Sequence, residues 1–250
     1  DRLRSRGLGD VYKRQVYEDE NILLVDKPVG MVVHEDESGD SDTLINRIKS
    51  YLYHKGEYRP ENELSFAPAL CNRIDRNTCG IVIAAKNAES LRILNQKIRD
   101  RELTKLYLCI ACGKVTPDSA TLTAYLEKNS DTNTVKISDK KTKSNLTIKT
   151  KYKVIAYNGE NSLLKVDLLT GRTHQIRAHL AYIGHALLGD GKYGNNKLNK
   201  KYGFKYQALC SYELHFKFTT DAGCLSYLDG KCFKAKAPDF VKMFGSNIKL

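Results

Sequence analysis

Apolar and polar residues along this chain alternate mostly with a period of two. Tyr212, Leu214, Phe216 and Phe218 alternate with Glu213, His215 and Lys217, which predicts a half-buried strand. Between Leu103 and Gly113, Leu106, Leu108, Ile110 and Cys112 share one face, while Tyr107, Cys109 and Ala111 share the other. Further strands are predicted at Ile22 to Asp26, Met31 to His34, Gly80 to Ala85, Thr121 to Leu126, Val135 to Ile137, Asn145 to Ile155 and Ser162 to Leu169. Asp229-Gly230, between Leu225–Leu228 and Lys231–Ala235, is a hairpin signal.

Helical spacing is confined to fewer places. Ser41 or Asp42 is placed to cap a helix carrying Leu44, Ile45, Ile48 and Leu52 on one face. Asn87 opens a second, with Leu91, Leu94 and Ile98 inward and Arg92, Lys97 and Arg99 outward. Thr173 caps a third that Gly184 ends, with Ile176, Leu180 and Ile183 buried and His174, Arg177 and Ala181 on an adjacent face. Strands outnumber helices and do not alternate with them. The fold class is therefore α+β with a mixed, largely antiparallel sheet, not a doubly wound fold.

Composition narrows the function classes. No apolar run approaches the ~20 residues that a membrane span needs, and no secretory pattern opens the chain. Seven cysteines, an odd number, fit reduced thiols in a cytoplasm better than a disulfide framework. The net charge of +12 points to a polyanionic partner. Its distribution is uneven, with nine acidic residues against one lysine from Glu18 to Asp42. Lys140 to Lys153 holds six lysines and no acid, and Lys192 to Lys205 holds five. Lysines interleaved with Tyr152, Tyr193, Tyr202 and Tyr206 suit a phosphate backbone and stacked bases. Residues 1–15 lack periodicity and look like adapter or vector read-through. Setting them aside removes five basic and two acidic residues and leaves the rest at +9.

Two segments carry the chemistry. In Asn72-Arg73-Ile74-Asp75-Arg76-Asn77-Thr78-Cys79-Gly80 one carboxylate stands between two arginines. An arginine close by would keep Asp75 ionised and suit it to act as nucleophile or base. A surface ion pair beside a strand would explain the same residues. The second segment is Leu168-Leu169-Thr170-Gly171-Arg172-Thr173-His174-Gln175-Ile176-Arg177-Ala178-His179-Leu180. An arginine at the positive end of a helix gains nothing from the macrodipole, so Arg177 is expected to reach an anion, a phosphate or a buried carboxylate.

Other motifs fare worse. Gly189-Asp190-Gly191-Lys192-Tyr193-Gly194 fits G-x-G-x-x-G, but Asn195 to Tyr206 is a poor helix for a dinucleotide site. Cys109 and Cys112 fall on opposite faces of a strand, against a zinc or redox role. His174 and His179 are five apart and lack the intervening Glu of a zinc protease. A glycosidase would need a second carboxylate near Asp75, and no motif supplies one.

The two segments together resemble the RluA-type family of RNA pseudouridine synthases, a bacterial-type rRNA- and tRNA-modifying group. Three more stretches match in order: Tyr17 to His34, Leu103-Thr104-Lys105-Leu106-Tyr107, and Gly184-His185-Ala186-Leu187-Leu188-Gly189-Asp190 through Tyr193-Gly194. The resemblance runs from about Val16 to Phe244 and implies the synthase fold with a central RNA-binding cleft over residues 16–250. It implies isomerisation of uridine to pseudouridine in structured RNA, 23S rRNA ahead of tRNA, with no cofactor, no metal and no membrane, by a cytoplasmic monomer.

It also implies roles for residues. Asp75 would be the catalytic aspartate, Tyr107 the ring that packs on the target base, and Arg177 the arginine paired with Asp75. Arg73 would help fill the gap left by the flipped nucleotide. Arg76, Thr78, Lys105, Arg172, His174 and Gln175 join it as RNA- or substrate-binding residues. Asn72, Ile74, Cys79 and Ala186 stand where histidine, leucine, serine and proline are usual; none of these changes removes a charge that the chemistry needs. An RNA-binding module with a relic site is the alternative, against which Asp75, Tyr107 and Arg177 all stand intact. Since some members carry an N-terminal S4-type domain, such a domain is expected to have preceded residue 16.

Overall fold

The computed structural model describes residues 11–35, 42–62, 66–129, 131–245 and 248–250. The chain builds two compact units, Asp1–Thr104 with Glu213–Lys236, and Lys105–Tyr212 with Ala237–Leu250.

In the first unit, β1 (Gln15–Glu18) pairs with β2 (Ile22–Lys27), and β2 pairs with β4 (Cys79–Ala85), both antiparallel. The short β3 (Ala69–Leu70) also lies on β4. Ile22 to Val25 and Ile81 to Ala85 are almost wholly buried, which is why these strands read as continuous apolar runs. Each fully buried Ile or Leu there stabilises the fold by about 1.5–3 kcal/mol. Two helices follow their sequence signals, α1 (Leu44–His54) and α2 (Ala88–Arg99), and α2 packs on β4. Asn87 caps α2 through Ser90 N–H, as expected.

Several expectations for this unit are corrected. No strand forms at Met31 to His34, because the Val32 and Val33 carbonyls accept the amides of Leu44 and Ile45 at the start of α1. The cap of α1 is Thr43, whose Oγ1 accepts from Asn46 N–H. Asp42 instead holds Arg47 at 2.6 Å, and Ser41 lies outside the described residues. Lys97 turns inward, where Glu102 at 2.7 Å and the carbonyl and hydroxyl of Thr220 satisfy its ammonium. Residues 223–228 form a 3-10 helix that buries Leu225 and Leu228, three apart on one face. The Asp229-Gly230 turn therefore joins that helix, not a strand, to β11 (Cys232–Lys234). β11 pairs antiparallel with the Glu213–His215 part of β10 (Leu209–Phe216). Nor is β10 half-buried: Glu213 is 3% exposed, since Lys234 and His215 satisfy its carboxylate. Of the set-aside tail, residues 1–10 lie outside the description. Val11 is buried, the Arg14 carbonyl accepts from Asp26 N–H, and Gln15 opens β1.

The second unit is an antiparallel sheet in the order β5 (Leu103–Cys112), β9 (Asn161–Leu168), β8 (Leu146–Tyr157), β6 (Ser119–Asn129), β7 (Thr134–Ser138), taking β5 from Lys105 onward. Ala124, Leu126, Val135, Ile137 and Ile148 on one face cluster with Ala178 of α3 (Gln175–Tyr182). The other face of β8 presents Lys149, Lys151 and Lys153 in a row, all exposed. Gly184 ends α3 as foreseen, at φ 87°, with His185 N–H on Leu180 O and Gly184 N–H on Ala181 O, the paired bonds of a Schellman end. A six-residue helix, α4 (Asn196–Lys201), does form under the Asn195 cap. Among the described residues no helix is long and apolar enough to cross a membrane.

Candidate active site

Asp75 sits on a turn of the first unit. Thr78 N–H closes the turn on the Asp75 carbonyl at 3.0 Å, just before β4 begins. Ile74 points into the core and Thr78 is buried, whereas Asp75 is half-buried and Arg73 and Arg76 are exposed. Asn72 ties the turn to β4, its Oδ1 accepting from Ile83 N–H at 2.8 Å. The atypical asparagine is therefore a backbone clamp.

The turn is held from below by Lys27, a residue that sequence reasoning quoted but gave no role. Lys27 is fully buried at the end of β2, and its Nζ donates to the carbonyls of Pro28 (2.9 Å), Met31 (2.8 Å) and Arg76 (2.9 Å). Arg76 is also fixed by Gly30, whose N–H reaches the Arg76 carbonyl while Arg76 Nε donates to the Gly30 carbonyl. Gly30 adopts φ 86°, a conformation that glycine tolerates. Burial pushes the Lys27 ammonium down to about 8, with the charges of Cys79 and Asp75 opposing that shift. The signal in the sequence was a lysine closing an apolar strand directly before proline. A half-buried carboxylate on a turn bound at both ends has the form of a nucleophile or base held for substrate.

The second unit carries the other residues. Tyr107 is 6% exposed on β5, opposite Val166, and Lys105 is half-buried two residues before it. Arg172 is exposed, with its N–H on Gln175 Oε1. The start of α3 corrects one expectation. Thr173 is not its cap; His174 occupies that position at φ 52°, ψ 16°, and no side chain caps the helix. A left-handed histidine is strained by about 1 kcal/mol or more and persists where surroundings over-determine it. Here they do. Gln175 Oε1 accepts from Thr170 Oγ1 and Arg172 N–H, and Gln175 Nε2 donates to the Lys149 carbonyl and Thr150 Oγ1. His174 Nδ1 lies 2.9 Å from the Tyr193 hydroxyl, which also accepts from Val135 N–H.

Arg177 is nearly buried, and its Nε and Nη2 grip Asp190 at 2.7 and 3.0 Å. Burial would raise the Asp190 carboxyl. The hydrogen bonds and charge of Arg177, with the amides of Lys192 and Tyr193, outweigh it and hold the carboxyl below its usual range. The Tyr193 ring faces the guanidinium 5.3 Å from its centroid. Asp190 and Tyr193 stood in a quoted motif without a role, because a turn of glycines does not reveal which side chain folds back. The glycines there answer to packing: a Cβ on Gly189 would meet the Tyr206 carbonyl at 2.0 Å, and one on Gly194 the Asp190 carbonyl at 2.4 Å. Packing thus accounts for the first and last glycines of the G-x-G-x-x-G spacing, while a Cβ on Gly191 would meet open space. His179, buried against Thr150, is pushed down to about 4 by desolvation and stays neutral.

Comparison with known proteins follows the same residues. The profile of the family described as RNA pseudouridylate synthase matches residues 21–182, which include Lys27, Asp75, Tyr107 and Arg177. The chain is 38% identical over 209 residues to an uncharacterised RNA pseudouridine synthase of Mycoplasma genitalium, covering 80% of this chain and 62% of that one. It is 33% identical over 180 residues to the ribosomal large subunit pseudouridine synthase D of Borreliella burgdorferi, covering 72% and 54%. The chain thus spans between half and two thirds of the length of these relatives. The structure of human RNA pseudouridylate synthase domain containing 4 has the same fold, with TM-score 0.74 at 18% identity over 94% of this chain and 93% of that one.

Proposed function

The chain belongs to the RluA-type family of RNA pseudouridylate synthases, and from that premise we propose that it isomerises uridines of structured RNA to pseudouridine. Ribosomal large-subunit RNA is the favoured substrate and transfer RNA the alternative. The ribosomal choice follows the similarity to the ribosomal large subunit pseudouridine synthase D of Borreliella burgdorferi. The observation that carries the proposal is the turn that bears half-buried Asp75, clamped by Asn72 and by fully buried Lys27.

In this reaction the bond between C1′ and N1 of the uridine breaks, the uracil turns, and C1′ joins C5. N1 ends with a proton and C5 loses one to solvent, so the product is an isomer. Asp75 serves as the ionised carboxylate that attacks C1′ or removes the C2′ proton; both routes need the same group. The target base is flipped from its stack, at a cost of about a few kcal/mol, and stacking on the Tyr107 ring offsets part of that. Arg177 is the arginine assigned to the carboxylate's side of the reaction. Arg73, Arg76, Thr78, Lys105, Arg172 and His174 are assigned to RNA, and Gln175 holds the loop that presents Arg172 and His174. The exposed Lys149, Lys151 and Lys153 suit the phosphate backbone. The enzyme acts as a cytoplasmic monomer, and the isomerisation itself draws on no metal or cofactor. The test is tritium release from uridine-5-labelled ribosomal and transfer RNA. Release is expected; none from any RNA offered would refute the reading.

A further inference from the structure

The β10–β11 hairpin gathers three metal-ligating side chains that the proposed chemistry does not use. Its register sets His215 opposite Cys232 and Glu213 opposite Lys234. Residues two apart on a strand share a face, so all four project to one side. His215 Nε2 lies 2.9 Å from Glu213 Oε2 and 3.4 Å from Cys232 Sγ. The three donor atoms all lie within 4.8 Å of one another.

Two of these separations, nitrogen to oxygen and sulfur to nitrogen, approach those of zinc ligands. With Zn–S about 2.3 Å and Zn–N and Zn–O about 2.0–2.1 Å, tetrahedral geometry puts sulfur and nitrogen about 3.5 Å apart and nitrogen and oxygen about 3.3 Å apart. The sulfur–nitrogen pair already has that spacing. The nitrogen–oxygen pair would open by roughly 0.4 Å, a small turn of the carboxylate. Both strands are fixed by ladder bonds, so the ligands are presented together. Lys234 Nζ, 2.9 Å from Glu213 Oε1, holds the carboxylate with its other oxygen toward His215. Outer partners of this kind orient metal ligands.

We propose that Glu213, His215 and Cys232 bind one zinc ion, with water as the fourth ligand. The donor set of one thiolate, one imidazole and one carboxylate matches a borderline divalent cation, and its sulfur disfavours magnesium and calcium. Binding releases the thiol proton of Cys232 to solvent and leaves His215 neutral. Cys232 is exposed and His215 half-exposed, so the ion has a way in, while buried Glu213 anchors it to the sheet. The site shares no residue with the Asp75 turn. Its effect is to tie the three-residue β11 to β10.

The experiment is a titration of the chelator-stripped full chain with zinc chloride, read by calorimetry. Alkylation of Cys232 by iodoacetamide is followed in parallel by peptide mass. One zinc per chain is expected, with alkylation of Cys232 slowed at least about tenfold and a rise in Tm, because the ion binds only the folded hairpin. Cys232→Ser and His215→Gln should each weaken zinc binding at least about tenfold. Cobalt in place of zinc should show a thiolate charge-transfer band that Cys232→Ser removes. The proposal is overturned if the parent takes up no zinc. It is equally overturned if uptake is unchanged in both variants, which would place the ion on other cysteines, or if Cys232 alkylates at the same rate with and without zinc.

Discussion

Arg177 and Asp190 form a buried two-point ion pair, Nε to Oδ2 at 2.7 Å and Nη2 to Oδ1 at 3.0 Å. Asp190 is wholly buried, and the amides of Lys192 and Tyr193 take up further acceptor capacity of its Oδ1. The residues by themselves predict that Arg177 reaches an anion, a phosphate or a buried carboxylate, and the family resemblance implies that this anion includes Asp75. Within its own unit the fork of Arg177 is oriented by Asp190, which makes Asp190 a positioning residue for the proposed reaction.

Replacing Asp190 by Asn removes the charge opposite Arg177 and leaves a buried cation short of its partner. Loss of one member of a buried pair costs about 3–5 kcal/mol, so the urea midpoint of Asp190→Asn should fall accordingly. Arg177→Lys keeps the charge but loses the fork. That variant should lose more in kcat than in substrate affinity, and a parent-like kcat would remove Arg177 from the proposed site.

Lys27 makes a prediction in the alkaline range. Its ammonium titrates near 8 in the folded chain, below the ordinary lysine value of 10.5, because it is buried. Between those values the unfolded chain holds a proton that the folded chain has lost, so stability contributed by Lys27 rises with pH and is lost as pH falls through about 8. In Lys27→Met this slope should vanish from denaturation measured from pH 8 to 10.5 as a difference from the parent. Near neutral pH the lost hydrogen bonds and the relieved charge burial roughly offset. Stability should then change little while activity falls about tenfold or more, as the Asp75 turn loosens.

His179 should govern part of the acid limb. Burial lowers its imidazole to about 4 from the usual 6.5. From pH 6.5 down to about 4 the unfolded state binds the proton first, so the parent loses stability as pH falls, by about 2–3 kcal/mol across the window. His179→Gln should flatten that limb in urea titrations at successive pH values. An unchanged limb would mean that His179 is protonated in the fold.

Tyr107 separates packing from stacking. Tyr107→Phe keeps the ring and should keep most of the rate. Tyr107→Leu should lose about ten- to a hundredfold, the range expected for one base–aromatic contact of about 1–3 kcal/mol. Equal rates in the two variants would remove the stacking role.

Legibility of the sequence varied with what each residue had to satisfy. The β5 and β8 alternation, the Asn87 cap and the Gly184 helix end were readable, because local geometry alone demands those residues. Met31 to His34 misled because a helix start, not a strand, takes the Val32 and Val33 carbonyls. Lys97 and Glu213 misled because charge usually means surface. Their partners, Glu102 five residues along and Lys234 on the next strand, were not visible as partners. His174 misled because Gln175, not a capping hydroxyl, holds its loop. Of the candidate site, Asp75, Tyr107 and Arg177 are proposed from motif order. The buttresses Lys27 and Asp190 were not, since their work is done through backbone carbonyls and a fold-back turn.

The central claim is that Asp75 performs the chemistry, and its most direct measurement compares the parent with Asp75→Asn, which swaps the carboxylate for an amide of the same shape. Tritium release from uridine-5-labelled RNA should be lost in the variant, by at least about a thousandfold for a group that acts in the reaction itself, with RNA binding and Tm unchanged. Release by Asp75→Asn at the parent's rate would contradict the account.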